Sequence, residues 1–263
     1  MLFSVLNSGS NGNCYYIGDG KDAILVDAGL SAKQIVLRTE QLGLDIQQVR
    51  AIFISHEHSD HIFGIKGLYR KFRIPVYMTG LTRQASGLRL DEVAFPHWNA
   101  AEDVEIGRIN IRAFPVSHDA ADPHNFIIRI GSTVLGIFTD LGYPCDLVKH
   151  SFNQCHIAVL ETNYDEVMLA QGPYPLHLQN RISGPSGHLS NLQALELFRQ
   201  HRSKELSHLF LAHLSNENNT PEKVLELFRT EAGNTEIVVT SRSHALPVLR
   251  VGGNPIGQLP LFA

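Results

Sequence analysis

Cysteine is scarce in this sequence. The three residues Cys14, Cys145 and Cys155 are too few and too scattered for a disulfide framework, and none forms a CxxC pair. Small buried hydrophobes are the expected role for all three. Long apolar runs are missing as well: no stretch reaches the roughly 18 residues needed to span a bilayer. The opening residues, MLFSVLNSGSNGN, have neither a basic start nor an extended apolar segment, so no signal peptide is expected. Together these absences predict a soluble, cytoplasmic protein. Basic charge is not in excess either. The formal net charge is −4, which argues against a strongly basic nucleic-acid coat. A polyanionic substrate stays open, because bound dications would reverse the field locally. Repeats, low-complexity segments and charge blocks are also absent.

What is present is an ordinary globular mixture, 43% hydrophobic and 18% charged over 263 residues, enough to fill a core. Strands are predicted over 1–6, 14–18, 23–27, 51–55 and 75–78. Helices are predicted over 31–42, with Ser31 as N-cap, and over 62–71. The segments EIGRINIRAF, NFIIRI and TVLGIFT read as successive strands within 105–139. Alternation then resumes, with strands over 156–161, 206–213 and 235–240 and helices over 189–201 and 221–231. Two strand-rich halves, each with helices, predict two packed sheets with helices outside, and functional residues on loops at one edge. The Gly- and Pro-rich stretch 171–188, QGPYPLHLQNRISGPSGH, reads as a functional loop rather than a linker.

Histidine is the conspicuous residue, 14 in all. Three of them, with one aspartate, fall in the six residues HEHSDH, directly after the apolar run AIFIS. Imidazole and carboxylate together suit Zn, Mn or Fe. Two ions about 3.5–4 Å apart can be reached from one such loop. A polar surface loop that merely contains histidines is the bland alternative, and the density of HxHxDH speaks against it.

HxHxDH resembles the diagnostic motif of the metallo-β-lactamase-fold superfamily, and further motifs of that superfamily can be matched in order. These are Asp27 in LVDAG, His118 in AFPVSHD, Asp140 in GIFTDLG and His213 in LFLAHLS. The resemblance implies an α/β fold, an αββα four-layer sandwich, as a single domain over 1–263. It implies two divalent metal ions, Mn or Zn with Fe as a further candidate. His56, His58 and His118 would hold one ion, Asp60, His61 and His213 the other, and Asp140 would bridge them. Asp27 would steady the metal-binding loop, as ligating imidazoles often require, although a plain turn aspartate would look the same.

Fold does not fix substrate, but several features narrow the chemistry. Redox members typically carry an acid in place of His58, and β-lactamases of this fold usually carry a signal peptide. His188, in GPSGHLS, lies where phosphodiesterase members place a non-ligand histidine. A P–O bond breaks most easily when the departing alkoxide is protonated, and imidazole has a suitable pKa. His188 is therefore the expected general acid, with Asp60 the other candidate catalytic group; a structural loop histidine is the alternative.

The segments SGSNGNC, VDAGLSAK, ETNYDEVMLAQGPYPLHLQNRISGPSGHLSN and LAHLSNENNTPE are similar to the bacterial YycJ/WalJ group. That resemblance implies 5′ to 3′ exonuclease activity on double-stranded DNA, with a nucleic-acid substrate as partner and no membrane. The chain departs from this expectation in lacking an obvious basic patch. Ser8, Ser10 and Asn13 lie in a glycine-rich loop whose amides could hold a phosphate, or which is simply a tight turn. Asn218, with Asn216 and Asn219, follows His213 and could line the same cleft, or cap the helix near Pro221. The alternatives are a small-molecule phosphodiesterase or thioester hydrolase on the same fold, and a non-catalytic metal-bearing regulatory protein.

Overall fold

The computed structural model of the chain describes residues 1–89 and 91–252. In chain order the strands begin with β1 (Leu2–Asn7), β2 (Cys14–Gly18), β3 (Ala23–Val26), β4 (Val49–Phe53) and β5 (Val76–Tyr77). They continue with β6 (Val104–Ile106), β7 (Ile109–Pro115), β8 (His124–Ile130), β9 (Thr133–Phe138), β10 (Ile157–Glu161), β11 (His208–Ala212), β12 (Glu236–Val239) and β13 (Leu249–Arg250). One sheet runs β13-β1-β2-β3-β4-β5 and the other β12-β11-β10-β9-β8-β7-β6. The helices are α1 (Ala32–Gln41), α2 (Ser59–Ile62), α3 (Ile65–Phe72), α4 (Gly80–Ser86), α5 (Asp146–Phe152), α6 (Glu166–Gln171), α7 (Leu176–Ser183), α8 (Asn191–His201) and α9 (Pro221–Arg229).

The two-residue period of a strand explains the layering. Along β2, Tyr15 and Ile17 join Phe3, Val5, Phe126 and Phe210 in the core between the sheets. Their neighbours Cys14 and Tyr16 face the other way, packing with Ile35 of α1 and Leu68 of α3. The second sheet repeats this, with Leu160 and Leu211 packed on Phe152 of α5, Phe198 of α8 and Phe228 of α9. Strands covered on both faces need apolar residues at every position, which is why AILV and IAVLE lack the alternation of a half-exposed strand. Each aliphatic side chain so buried contributes about 1.5–3 kcal/mol over leaving it in water. The result is the four-layer α/β sandwich expected. Cys14 and Cys155 are buried hydrophobes whose thiols burial pushes upward in pKa, and Cys145 is partly exposed.

Three local expectations are corrected. EIGRINIRAF is a hairpin rather than one strand: Gly107 adopts φ of +59°, and the turn between Ile106 and Ile109 folds β6 back on β7. The helix expected over 62–71 is two pieces, α2 and α3, interrupted at Phe63 and Gly64. The stretch 171–188 contains the helix α7.

Strands β3, β4 and β5 are parallel, as are β9, β10, β11 and β12. In open α/β sheets, ligand sites form beyond the carboxyl ends of such strands. Asp27, the HEHSDH loop, Asp140 and His213 all follow such ends, and Glu161 is itself the last residue of β10.

Candidate metal centre

Three residues of this rim adopt a conformation that L side chains avoid. Asp27, Asp140 and His213 have φ of 57°, 56° and 57°, directly or two residues after their strands. Such left-handed residues cost roughly 1–3 kcal/mol each and persist where the surroundings dictate them. Asp27 turns there to Ser55 and His61, and Asp140 and His213 turn to the other side chains of the rim.

Three loops are laced together beneath the site. Asn13 N–H donates to the Asp60 carbonyl at 2.7 Å, Gly29 N–H to Asn13 O at 2.8 Å, and Ala28 N–H to His61 O at 2.8 Å. The approach requires glycine at 29, where a Cβ would lie 1.6 Å from Asp60 O. Asp27 is fully buried and accepts from Ser55 N at 2.9 Å and Ser55 Oγ at 3.0 Å. His61 Nδ1 sits 2.8 Å from Asp27 Oδ2. That bond turns His61 Nε2 toward Asp60 and Asp140. His118 is oriented in the same way, its Nδ1 donating to the Gly187 carbonyl at 3.0 Å.

The ring nitrogens and carboxylates of the rim converge into four overlapping groups, two of which match the expected ligand sets. His56, His58 and His118 each offer a ligand atom within 4.8 Å of the others, and so do Asp60, His61 and His213. Asp140 stands between them: its Oδ2 is 3.4 Å from His61 Nε2 and its Oδ1 is 3.7 Å from His118 Nε2. Asp140 Oδ2 and His213 Nε2 are both buried without a hydrogen-bond partner. Orphaned polar atoms in a protein interior are rare and cost about 1–3 kcal/mol apiece. A carboxylate oxygen and a ring nitrogen left unpaired beside further imidazoles and carboxylates fit a cation site, so this set of side chains suits divalent metal ions.

The two groups differ electrostatically. Burial, reinforced by neighbouring imidazoles, holds His56 well below the ordinary histidine range, and burial lowers His118. Neutral imidazole is the form that binds metal. Around the second group burial opposes charge too, but the carboxylates outweigh it. Asp27 and Asp140 raise His61 well above its usual range, and Asp140, Asp60 and Glu161 do the same to His213. Burial would raise Asp60 and Glu161, yet the imidazoles facing them hold both below the usual carboxylate range.

Glu161 is the residue that sequence reasoning missed. It is fully buried; Oε1 lies 2.7 Å from His188 Nδ1 and 2.9 Å from His213 Nδ1, and Oε2 accepts from the backbone N–H of Leu141 at 2.8 Å. The available signal was an acid closing the apolar strand IAVLE, as Asp27 follows AILV. Asn163 was missed as well; its Nδ2 donates to the His213 carbonyl at 2.9 Å.

A cleft of about 230 Å³ opens over both groups, lined among others by Ser10, Tyr174, Arg181 and His188. Of the residues expected to touch substrate, only Ser10 lines it. Ser8 is buried and its Oγ accepts from His213 N–H at 2.9 Å. Asn13 is buried, its Nδ2 3.2 Å from His61 Nε2 and 3.3 Å from Asp60 Oδ2. Both therefore sit under the ligand residues rather than in the cleft. Asn218 is buried away from the cleft lining, where its carbonyl accepts from Asp165 N–H at 2.8 Å. Asn219 bonds Thr162 and Asn191, and Asn216 bonds Glu217 at the surface.

A family model described as the metallo-beta-lactamase superfamily matches residues 8–178. The chain is 37% identical over 223 residues to the exodeoxyribonuclease YycJ of Bacillus anthracis, covering 84% of each protein. It is 33% identical over 225 residues to the exodeoxyribonuclease WalJ of Streptococcus pneumoniae, again covering 84% of each. The crystal structure of the metallo-beta-lactamase fold protein YhfI from Bacillus subtilis matches with a TM-score of 0.71 over 93% of this chain and 98% of that one. Its identity is 16%, so that likeness concerns the fold. No helix among the described residues is long and apolar enough to cross a membrane. Motif order, sheet topology and these similarities agree that the chain belongs to the metallo-beta-lactamase superfamily, as a YycJ/WalJ-like member.

Proposed function

We propose that this metal-dependent hydrolase is a dinuclear phosphodiesterase that degrades double-stranded DNA from the 5′ end, acting as one domain in the cytoplasm. His56, His58 and His118 would hold one divalent ion, Asp60, His61 and His213 the other, with Asp140 shared. When bound, such ions supply Lewis acidity at the phosphate and a water nucleophile near neutral pH.

The observation that carries the reading is the placement of His188. It lines the cleft, and its Nδ1 is committed to Glu161 at 2.7 Å. Nε2 is then the nitrogen left for substrate, and a proton held there can pass to the departing 3′ oxygen. Phosphodiesters need this more than thioesters, whose thiolate leaves readily. Asp60, partly exposed in the same cleft, would accept a hydrogen bond from the attacking water. The names of the two relatives support DNA as the polymer.

A small phosphodiester or thioester is the competing substrate class, favoured by the modest size of the cleft and its acidic lining. The discriminating experiment is incubation of the purified, Mn-loaded protein with end-labelled single- and double-stranded DNA and RNA, beside bis(p-nitrophenyl) phosphate. Release of nucleotides from one end of duplex DNA supports the proposal. Turnover of the small ester with every polymer left intact would transfer the function to the rival class.

A further inference from the structure

We propose that Arg181 is a phosphate-binding residue that seats the polynucleotide strand in the cleft, an assignment that rests on the phosphodiester reading above. Among the described residues lining the cleft, Arg181 is the one Lys or Arg, set among the carboxylates Asp60, Asp119 and Asp140. Its guanidinium is fixed at one edge. Nε and Nη2 lie 2.6 and 2.5 Å from Asp119 Oδ2, and Asp119 Oδ1 lies 3.3 Å from His118 Nε2. Asp119 thus ties the guanidinium to the side chain of an expected metal ligand.

Guanidinium carries five N–H donors in a rigid fork. Asp119 accepts from Nε with Nη2 in close contact with the same oxygen, and Nη1 makes no hydrogen bond to the described residues. The Nη1–Nη2 edge therefore remains for a planar, bidentate grip on two phosphate oxygens, which an ammonium could not reproduce. The side chain is 64% exposed, so the ion pair with Asp119 contributes little to stability.

The helix carrying Arg181 points the same way. None of the residues of α7 is fully buried, Leu176 is 69% exposed, and only Leu178, Gln179 and Ile182 are half-covered, so packing gives it a weak anchor. What places it is its C-terminal end. His188 N–H donates to the Ile182 carbonyl at 2.8 Å, and Ser117 Oγ to Pro185 O at 2.7 Å. Both ties come from residues beside the site, one of them His188 itself. An element that adds little to the core, yet is fastened to the cleft, holds Arg181 at the cleft's edge. One such contact also suits a chain of formal net charge −4.

The test is fluorescence anisotropy with a labelled, phosphorothioate-linked DNA duplex and the Mn-loaded protein, from about 50 to 200 mM salt. Arg181→Ala should weaken binding by about tenfold. It should also make the slope of log affinity against log salt shallower by about one, the signature of a lost phosphate contact. Arg181→Lys should restore the slope and only part of the affinity, since charge is kept and the fork is lost. Metal content and circular dichroism should match the parent in both. A parent that binds, with an Arg181→Ala variant of equal affinity and slope, overturns this assignment alone. A parent that binds no DNA at any salt overturns the polymer reading, and this assignment with it.

Discussion

Glu161 and His188 are joined by a 2.7 Å contact between Oε1 and Nδ1, and the same Oε1 lies 2.9 Å from His213 Nδ1. One buried carboxylate oxygen thus sets the ring of the proposed acid and the ring of a proposed metal ligand. Oε2 is committed to the N–H groups of Leu141 and Leu189, so all the neighbours of this side chain are donors. Glu161→Gln must turn its NH₂ toward one pair of them. We predict a fall of roughly 10–100-fold in metal affinity and in activity, the usual cost of losing a carboxylate behind a ligating imidazole. Chelator competition and steady-state kinetics on one preparation measure both. A variant matching the wild type in both would show that the contact positions nothing.

Asp27 supports His61 as Glu161 supports His213. Asp27→Ala leaves Ser55 N–H unpaired in a fully buried place and His61 Nδ1 with Ser55 Oγ alone, at 3.2 Å, which should cost about 1–3 kcal/mol. In a chain of this size, the melting temperature should drop by about 2–4 °C for each kcal/mol. Asp27→Asn should lose less, because asparagine tolerates the left-handed backbone and keeps one acceptor. Thermal melts of the two variants check the order; an alanine variant as stable as the wild type contradicts it.

His188→Ala should leave fold and metal content intact. Catalysis on DNA should fall by roughly 10²–10⁴-fold, the size of a lost general acid. On p-nitrophenyl esters the fall should be much smaller, because p-nitrophenolate departs with little protonation. Equal losses on the two substrates, with metal retained, would remove the general-acid role.

Stability should also depend on pH at a point far from the site. Burial would raise the Asp19 carboxyl, but the N–H groups of Asp22 and Lys21 and the guanidinium of Arg108 hold it below its ordinary value of 3.8. A carboxylate with a depressed folded pKa stabilises above its unfolded pKa, and that contribution is lost as pH falls through the folded value. Asp19→Asn should therefore lower stability near neutrality and narrow its gap from the wild type below about pH 4. Urea denaturation at several pH values reads this; a gap constant with pH would show that Asp19 carries no such linkage.

The residues gathered at the rim were legible where they formed a pattern in the chain. HEHSDH is dense enough to be read alone, and His118, Asp140 and His213 follow it in order, each just beyond a strand. Glu161 was not legible, because an acid ending an apolar strand acquires its meaning from His188 and His213, 27 and 52 residues away. Ser8 and Asn13 looked like phosphate cradles because Gly-, Ser- and Asn-rich loops often are. Only packing reveals that they are buried under His213 and His61. The layering was readable from buried strands such as IAVLE. Helix α7 was hidden because Gly172, Pro173 and Pro175 directly precede it and its apolar face is only the short pair Leu178 and Ile182, neither fully buried.

The central claim is that hydrolysis at this rim depends on two metal ions held by the two histidine-rich groups. The most direct measurement is activity on end-labelled duplex DNA as metal-free protein is titrated with Mn, with bound metal determined by elemental analysis on the same samples. Activity should rise with loading, level off at about two equivalents per chain, and vanish on chelation. Asp140→Ala should bind less metal throughout. Full activity in metal-free protein, or a well-folded chain that takes up no metal after reconstitution with Mn or Zn, would contradict it.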